Sequence, residues 1–119
     1  MEWLRKIYTG ESLTQDLTGT LRRIDEVNGD MTGLCFLITL STFSKCQLDI
    51  LSAKEIHKPY YQAAELKAVG VAGDKAESKA LVERMLNDCL ASRGDADLRS
   101  YFEAMGEEAF GAKEEVGIR

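Results

Sequence analysis

Residues 69–77, with the sequence VGVAGDKAE, decide the fold because they join two elements of different type. The apolar residues that begin at Leu66 end in a pair of spaced glycines, which predicts a buried strand followed by a tight turn. Asp74 with Glu77 three residues later is the capping pattern of a helix N-terminus, and such a cap contributes about 1 kcal/mol. This stretch therefore predicts a strand, a turn and a capped helix.

The strand and the helix on either side of this turn carry different apolar patterns. Alternation along the strand predicts one face of small residues, which would let a helix pack closely against it. On the helix, apolar residues recur at spacings of three and four, and a cation followed by glycine predicts its end. The small strand face comprises Leu66, Ala68, Gly70 and Ala72; the helix stripe comprises Leu81, Val82, Met85, Leu86, Cys89 and Leu90; and the predicted end is Arg93-Gly94.

A glycine-containing turn between a strand and a helix is also a place where phosphates are often bound. The spacing of Gly70 and Gly73 lacks the Walker A pattern. If Asp74 caps the helix, its carboxylate uses the N–H groups that a phosphate would use, and it repels the anion. We therefore interpret the turn as structural.

Two helices are predicted upstream. In residues 2–8, four apolar side chains share one helical face, and Gly10 is the expected end of this first helix. Ser12 and Gln15 resemble a capping box for a second, amphipathic helix, whose apolar residues are Leu13, Leu17, Leu21 and Ile24. Asn28-Gly29 is interpreted as its C-terminal cap, rather than as a hairpin turn, because residues 21–27 do not alternate.

The middle of the chain predicts two strands. Residues 34–40 are short and continuously apolar, which is typical of a central strand that is covered on both faces. Residues 46–57 fit either a strand that ends near Leu51 and pairs with the preceding strand as a hairpin, or a helix capped by Ser44. We favour the strand, followed by a short helical turn at 53–58 that Pro59 closes.

A last helix is predicted to begin at Asp95, and residues 112–119 are charged and aperiodic, so we expect them to be disordered. Residues 1–111 are expected to form one domain. The predicted fold class is α+β: a small two-layer domain with a mixed sheet of about three strands, flanked by N-terminal helices and two C-terminal helices. The alternative is a βαβα unit with parallel strands at 34–40 and 65–72.

The composition of the chain disfavours several classes of function. The 119-residue chain has a formal net charge of -5 and a sequence pI of about 4.9, which disfavours nucleic-acid binding. Its three cysteines are an odd, widely spaced set, as expected of reduced thiols in the cytoplasm. The N-terminus lacks the pattern of a signal peptide, and the longest apolar run is far short of the roughly 20 residues that cross a bilayer, so no membrane association is expected.

Candidate functional residues fall into two groups. One is a hydrogen-bonding and stacking cluster for a ligand or a protein contact, and the other is an N-terminal apolar set for self-association. Cys35, Cys46 and His57 match no zinc spacing, and no catalytic residue, metal or cofactor is predicted. The first group is His57, Lys58, Tyr60 and Tyr61, and the second is Trp3, Ile7 and Tyr8.

These observations favour a small, non-enzymatic cytoplasmic protein that acts through protein contacts, either as a homo-oligomer or with another protein. The alternative is a small-molecule-binding protein or a small enzyme with a pocket near His57, Tyr60 and Tyr61. The sequence shows no dense cluster of polar residues of the kind that active sites contain, and this favours the first interpretation.

Overall fold

The computed structural model of the protein describes residues 1–24, 35–41, 47–59 and 66–118. Within these ranges the fold is α+β with a mixed sheet, as predicted. The strands are β1 (Glu2–Thr9), β2 (Phe36–Leu40), β3 (Leu48–Ser52), β4 (Lys67–Ala72), β5 (Phe110–Gly111) and β6 (Gly117–Ile118), and the helices are α1 (Leu17–Ile24), α2 (Lys75–Arg93) and α3 (Leu98–Glu103). No helix in these ranges combines the length and apolarity that a bilayer crossing requires.

The sheet has the strand order β3-β2-β4-β1-β5, and β6 also pairs with β1. It is therefore larger than the predicted sheet of about three strands. The predicted hairpin of β2 and β3 is confirmed, because these strands pair antiparallel. The alternative βαβα unit is wrong: β2 and β4 are antiparallel, with Leu37 opposite Val71, and the parallel partner of β4 is β1.

The predicted first helix is wrong, because residues 2–9 form the strand β1 near the middle of the sheet. Trp3 and Ile7 lie in the core on one face of the sheet, whereas Leu4 and Tyr8 lie in the core on the other face. A strand that is buried on both faces carries two adjacent apolar pairs, and the same spacing also fits one face of a helix.

Helices cover both faces of the sheet, so the two-layer prediction is replaced by a layer of helix on each side. The α2 face of the sheet packs against α2 and α3, and the opposite α1 face packs against α1. The core of the α2 face includes Ile38, Val69, Leu81, Met85, Cys89 and Phe102. The core of the α1 face includes Leu17, Leu21, Ile24, Leu37, Ala53 and Val71. The apolar stripe predicted for α1 is thus confirmed at its last three positions.

Strand β4 contains an irregularity that breaks its expected alternation. Thr39 pairs with Ala68, but the preceding Ile38 pairs with Gly70, so Val69 is an extra residue without a partner in this register. A bulge of this kind re-aims the side chains that flank it. As a result Val69 lies on the α2 face, and the predicted division into a small face and a bulky face is wrong.

The close approach of a helix to β4 nevertheless occurs at Gly70. A Cβ atom at this position would lie 2.9 Å from Met85 Cε and 3.1 Å from Ile38 Cδ1. Both distances are shorter than an ordinary van der Waals contact, so α2 packs where a side chain would otherwise stand.

The predicted ends of α2 are confirmed. Asp74 is the N-cap, and its Oδ1 accepts a hydrogen bond from the Glu77 N–H at 2.8 Å. Gly94 ends the helix with φ 81°, and its N–H donates to the Leu90 carbonyl at 2.9 Å. Leu90 was predicted to belong to the buried apolar stripe of α2. It is 48% exposed, so this part of the prediction is wrong.

The segments that flank α1 and α3 differ in detail from the prediction. Residues 11–16 form a 3-10 helix before α1, without a side-chain cap, so the Ser12 capping box is wrong. Helix α3 begins at the cap Asp97 rather than at Asp95. Residues 113–115 form a 3-10 turn, and Gly117 of the strand β6 pairs with Lys6. Disorder of residues 112–119 in solution stays a prediction. The Asn28-Gly29 cap lies outside the described residues.

Candidate interaction edge and the predicted sites

Strand β3 forms one edge of the sheet. Backbone bonds to the β2 side occur just beyond both of its ends, from Ser41 N to Gln47 O and from Ala53 N to Cys35 O, each at 3.0 Å. In an antiparallel ladder, alternate residues bond to the neighbouring strand. The backbone groups of Leu48, Ile50 and Ser52 therefore point away from β2.

We call these three residues the open edge of β3. No described residue pairs with their outward N–H and C=O groups. Edge strands are templates for pairing with another strand, and proteins often keep them short. On the opposite side of the sheet, β5 and β6 are only two residues long, whereas β3 has five residues.

The open edge is apolar at its centre. Ile50 lies opposite Ile38, so it is on the α2 face, and it is 42% exposed. Leu48, two residues away on the same face, is partly buried against the core. Leu51 points to the α1 face, where it also packs against core residues. The edge strand is thus fixed by its flanking leucines, while Ile50 is the large apolar side chain that it presents to solvent.

Polar contacts fix the base of β3 onto α3. The Gln47 side chain donates from Nε2 to the Ala96 carbonyl at 3.1 Å and accepts from the Arg99 N–H at 3.2 Å. The Arg99 guanidinium also donates to the Ser41 carbonyl. These bonds join the two ends of the hairpin loop to the start of α3, which holds the edge in place.

His57 and Lys58, two residues of the predicted ligand cluster, follow the other end of β3. His57 is the last residue of the 3-10 turn Glu55–His57, which confirms the helical turn predicted here. Lys58 is exposed, and its Nζ is 2.7 Å from Glu55 Oε2. Tyr60 and Tyr61 lie outside the described residues, as does Cys46. A ligand or interface role for this cluster therefore stays a prediction.

Trp3, Ile7 and Tyr8 are buried within their own chain, at 4%, 0% and 0% exposure. A second copy could contact these side chains only if they left this core, and self-association through them stays an untested prediction. The Tyr8 hydroxyl donates to Asp88 and lies 3.4 Å from the Tyr101 hydroxyl. This network is not predicted from the sequence. A buried tyrosine hydroxyl needs a polar partner, but the burial of Tyr8 depends on segments that are distant in the sequence, so no local pattern indicates the network.

The turn between β4 and α2 is filled by carboxylates of the protein itself. Glu77 Oε1 accepts from the Gly73 N–H and from the Ser12 hydroxyl, both at 2.8 Å. We call Gly10, Ser12, Gly73 and Glu77 the carboxylate clasp. It joins the segment that follows β1 to the start of α2, and it uses an N–H that an anion would need. The structural interpretation of this turn is consistent with these contacts.

The cysteines within the described residues lie in the core. Cys35 is 1% exposed and Cys89 is 0% exposed. Burial, followed by the charge of Asp95, raises the pKa of the Cys89 thiol, which donates to the Asp95 carbonyl at 3.2 Å. A raised pKa keeps the reactive thiolate scarce. Among the described residues, no three His, Cys, Asp or Glu side chains are placed to hold a metal ion.

Comparisons with models of protein families, with curated proteins and with solved structures find no match for this chain.

Proposed function

We propose that the protein acts through self-association, as a two-fold dimer in which the β3 strands of two copies pair antiparallel. The observation that carries this proposal is the open edge of β3, a row of outward backbone groups centred on the exposed Ile50. A strand that pairs with this edge would satisfy the groups and extend the sheet. The buried free thiol of Cys89 favours a reducing compartment, and we propose the cytoplasm.

A two-fold axis through Ile50 makes the sequence of β3 complementary to itself. Ile50 then lies opposite Ile50 of the second copy, and Leu48 lies opposite Ser52. Asp49 lies opposite Leu51, so two like charges do not face each other. Directly opposed apolar residues stabilise an antiparallel pair by roughly 0.2–1 kcal/mol, whereas opposed like charges destabilise it.

The expected contact is small and reversible. Each copy contributes the N–H and C=O groups of three residues, and each hydrogen bond gives a net of about 0.5–1.5 kcal/mol. These gains are set against the loss of translational and rotational freedom on association. A contact between two five-residue strands falls below the area of standard stable interfaces, which places it among weak or transient interactions.

Sedimentation equilibrium over a range of concentrations tests the proposal. Ile50→Lys puts two cations opposite each other at the two-fold axis, so the dimer should be lost. Leu90→Lys is the matched control, because it also removes an exposed large apolar residue but lies on α2. The control should dimerise as the original protein does. A protein that stays strictly monomeric at high concentration would refute the proposal.

A cross-link tests the register itself. Opposed residues of a hydrogen-bonded antiparallel pair have Cα atoms about 5.5 Å apart, which is within the range of disulfides. In a Cys46→Ser background, Ile50→Cys should therefore form a covalent dimer on mild oxidation. Ser52→Cys should not, because its two copies would be offset by four residues, or roughly 14 Å. Equal cross-linking of both variants would show that the pairing is not in this register.

A further inference from the structure

A groove on the α2 face lies between β1 and the segment that follows α3. It encloses about 310 Å³ and is lined by Leu4, Arg5, Lys6, Met105, Glu108 and Ala109. Leu4 belongs to the core, and Met105 and Ala109 are partly buried against it, so the floor of the groove is apolar. Ligand sites in proteins span roughly 300–1,000 Å³, so a groove of this size suits one small molecule.

We propose that this groove binds a free α-amino acid with an apolar side chain. Lys6 and Glu108 are both exposed and carry opposite charges at the rim. Among the described residues, neither of them has an ion-pair or side-chain hydrogen-bond partner. By contrast, the Arg5 guanidinium is already engaged: Nη2 is 3.4 Å from Glu115 Oε2, and Nε donates to the Phe110 carbonyl at 3.3 Å. The rim therefore offers one cation and one anion to a ligand.

Glu108 follows a turn whose glycine has a left-handed backbone conformation. A Cβ atom on Gly106 would lie 3.0 Å from Glu108 Oε2, so the carboxylate folds back over the backbone of Gly106. Gly106 has φ 85°, a conformation that L side chains rarely adopt, and a glycine is needed there. Glu108 lines the groove from the segment that follows α3.

An apolar amino acid matches all three features of the groove. Its carboxylate would pair with Lys6, its ammonium with Glu108, and its side chain would contact the floor formed by Leu4, Met105 and Ala109. A fatty acid would bring a second carboxylate next to Glu108 and leave that group unpaired. An alkylamine would leave Lys6 without a partner. Charge complementarity therefore favours the zwitterion.

Calorimetry with L-leucine as the probe tests this proposal. Glycine lacks the side chain, N-acetyl-leucine lacks the ammonium, and leucinamide lacks the carboxylate, so each should bind at least tenfold more weakly. Decanoate tests the fatty-acid alternative. If decanoate binds as tightly as leucine, or if leucine does not bind at roughly 10 mM, the proposal is wrong.

Variants locate the site. Lys6→Met and Glu108→Gln should each weaken leucine binding at least tenfold. Lys79→Met and Glu83→Gln are matched controls, because both residues are exposed on α2 and do not line the groove. The thermal unfolding of each variant shows that it is folded. Leucine binding that is unchanged in Lys6→Met and Glu108→Gln would place the ligand elsewhere and overturn the proposal. The Ile50→Lys variant should bind leucine normally, so this test is independent of the dimer.

Discussion

The carboxylate clasp predicts that the effect of adding one methyl group at Gly10 depends on a side chain 67 residues away in the sequence. A Cβ atom on Gly10 would lie 1.7 Å from Glu77 Oε1, and the three nearest atoms all belong to Glu77. A glutamate side chain can rotate away from such a clash, whereas the backbone cannot. Gly10→Ala should therefore expel the Glu77 carboxylate from the clasp.

The magnitude follows from the contacts that would be lost. Glu77 accepts two hydrogen bonds at 2.8 Å, from the Gly73 N–H and the Ser12 hydroxyl. Hydrogen bonds to charged groups contribute about 1.5–3 kcal/mol each when buried, and the exposure of Ser12 lowers this to about 1–2 kcal/mol for the pair. Gly10 has φ -63° and ψ 146°, which alanine adopts readily, so the substitution also stabilises by about 0.4–1 kcal/mol through the unfolded chain.

The two effects have opposite signs and can be separated by a double-mutant cycle. In the original sequence, Gly10→Ala should lower the free energy of unfolding by up to about 1.6 kcal/mol. In a Glu77→Ala background, where the clasp is already absent, the same change should raise it by about 0.4–1 kcal/mol. Urea denaturation followed by circular dichroism measures both values. If Gly10→Ala has the same effect in both backgrounds, the clasp does not hold Glu77 as described.

Two further predictions concern packing and pH. Gly70→Ala places a methyl group 2.9 Å from Met85 Cε, so overpacking should lower the free energy of unfolding, measured by urea denaturation, by about 1–3 kcal/mol. Met85→Ala should relieve part of the clash. An unchanged denaturation midpoint for Gly70→Ala would contradict the close approach of α2. Hydrogen bonds from the Ser100 hydroxyl, the larger effect, and from the Ser100 N–H lower the pKa of Asp97 in the folded protein. The ionised Asp97 therefore stabilises the fold above its unfolded pKa, and this stabilisation is lost as the pH falls through the folded pKa. The thermal midpoint of Asp97→Asn should therefore fall less steeply with acidification below about pH 4, and identical profiles would contradict this role.

The elements that sequence predicted well are those whose signals are local. Asp74, Glu77 and Gly94 mark the ends of α2, because capping depends on residues within one turn of the helix. The strand at 34–40 was predicted because a short apolar run fits a doubly covered strand. These features do not require knowledge of what lies far away in the sequence.

The incorrect predictions concern segments whose structure depends on contacts with residues far away in the sequence. The apolar residues of segment 2–9 fit one helical face, but this segment forms a strand because it pairs with β4, β5 and β6. These residues are Trp3, Leu4, Ile7 and Tyr8. The Val69 bulge likewise depends on the register of β2 against β4. Of the candidate sites, the buried position of Tyr8 could not be predicted, because the local pattern does not show whether one or both faces are covered. The sequence predicts the strand β3, but it does not show that this strand lies at an edge, because that depends on the strand order of the sheet.

The place of β1 in the sheet also governs when the chain can fold during its synthesis. Residues 2–9 leave the ribosome before their strand partners β4, β5 and β6, which follow more than 50 residues later. The nascent chain must therefore carry this apolar segment without its neighbouring strands until the residues of β4, β5 and β6 have been synthesised. Contacts between residues so far apart in the sequence slow folding, because a long loop must close before they form. Arg5 and Lys6, which separate the two apolar pairs of this segment, keep it charged during that interval.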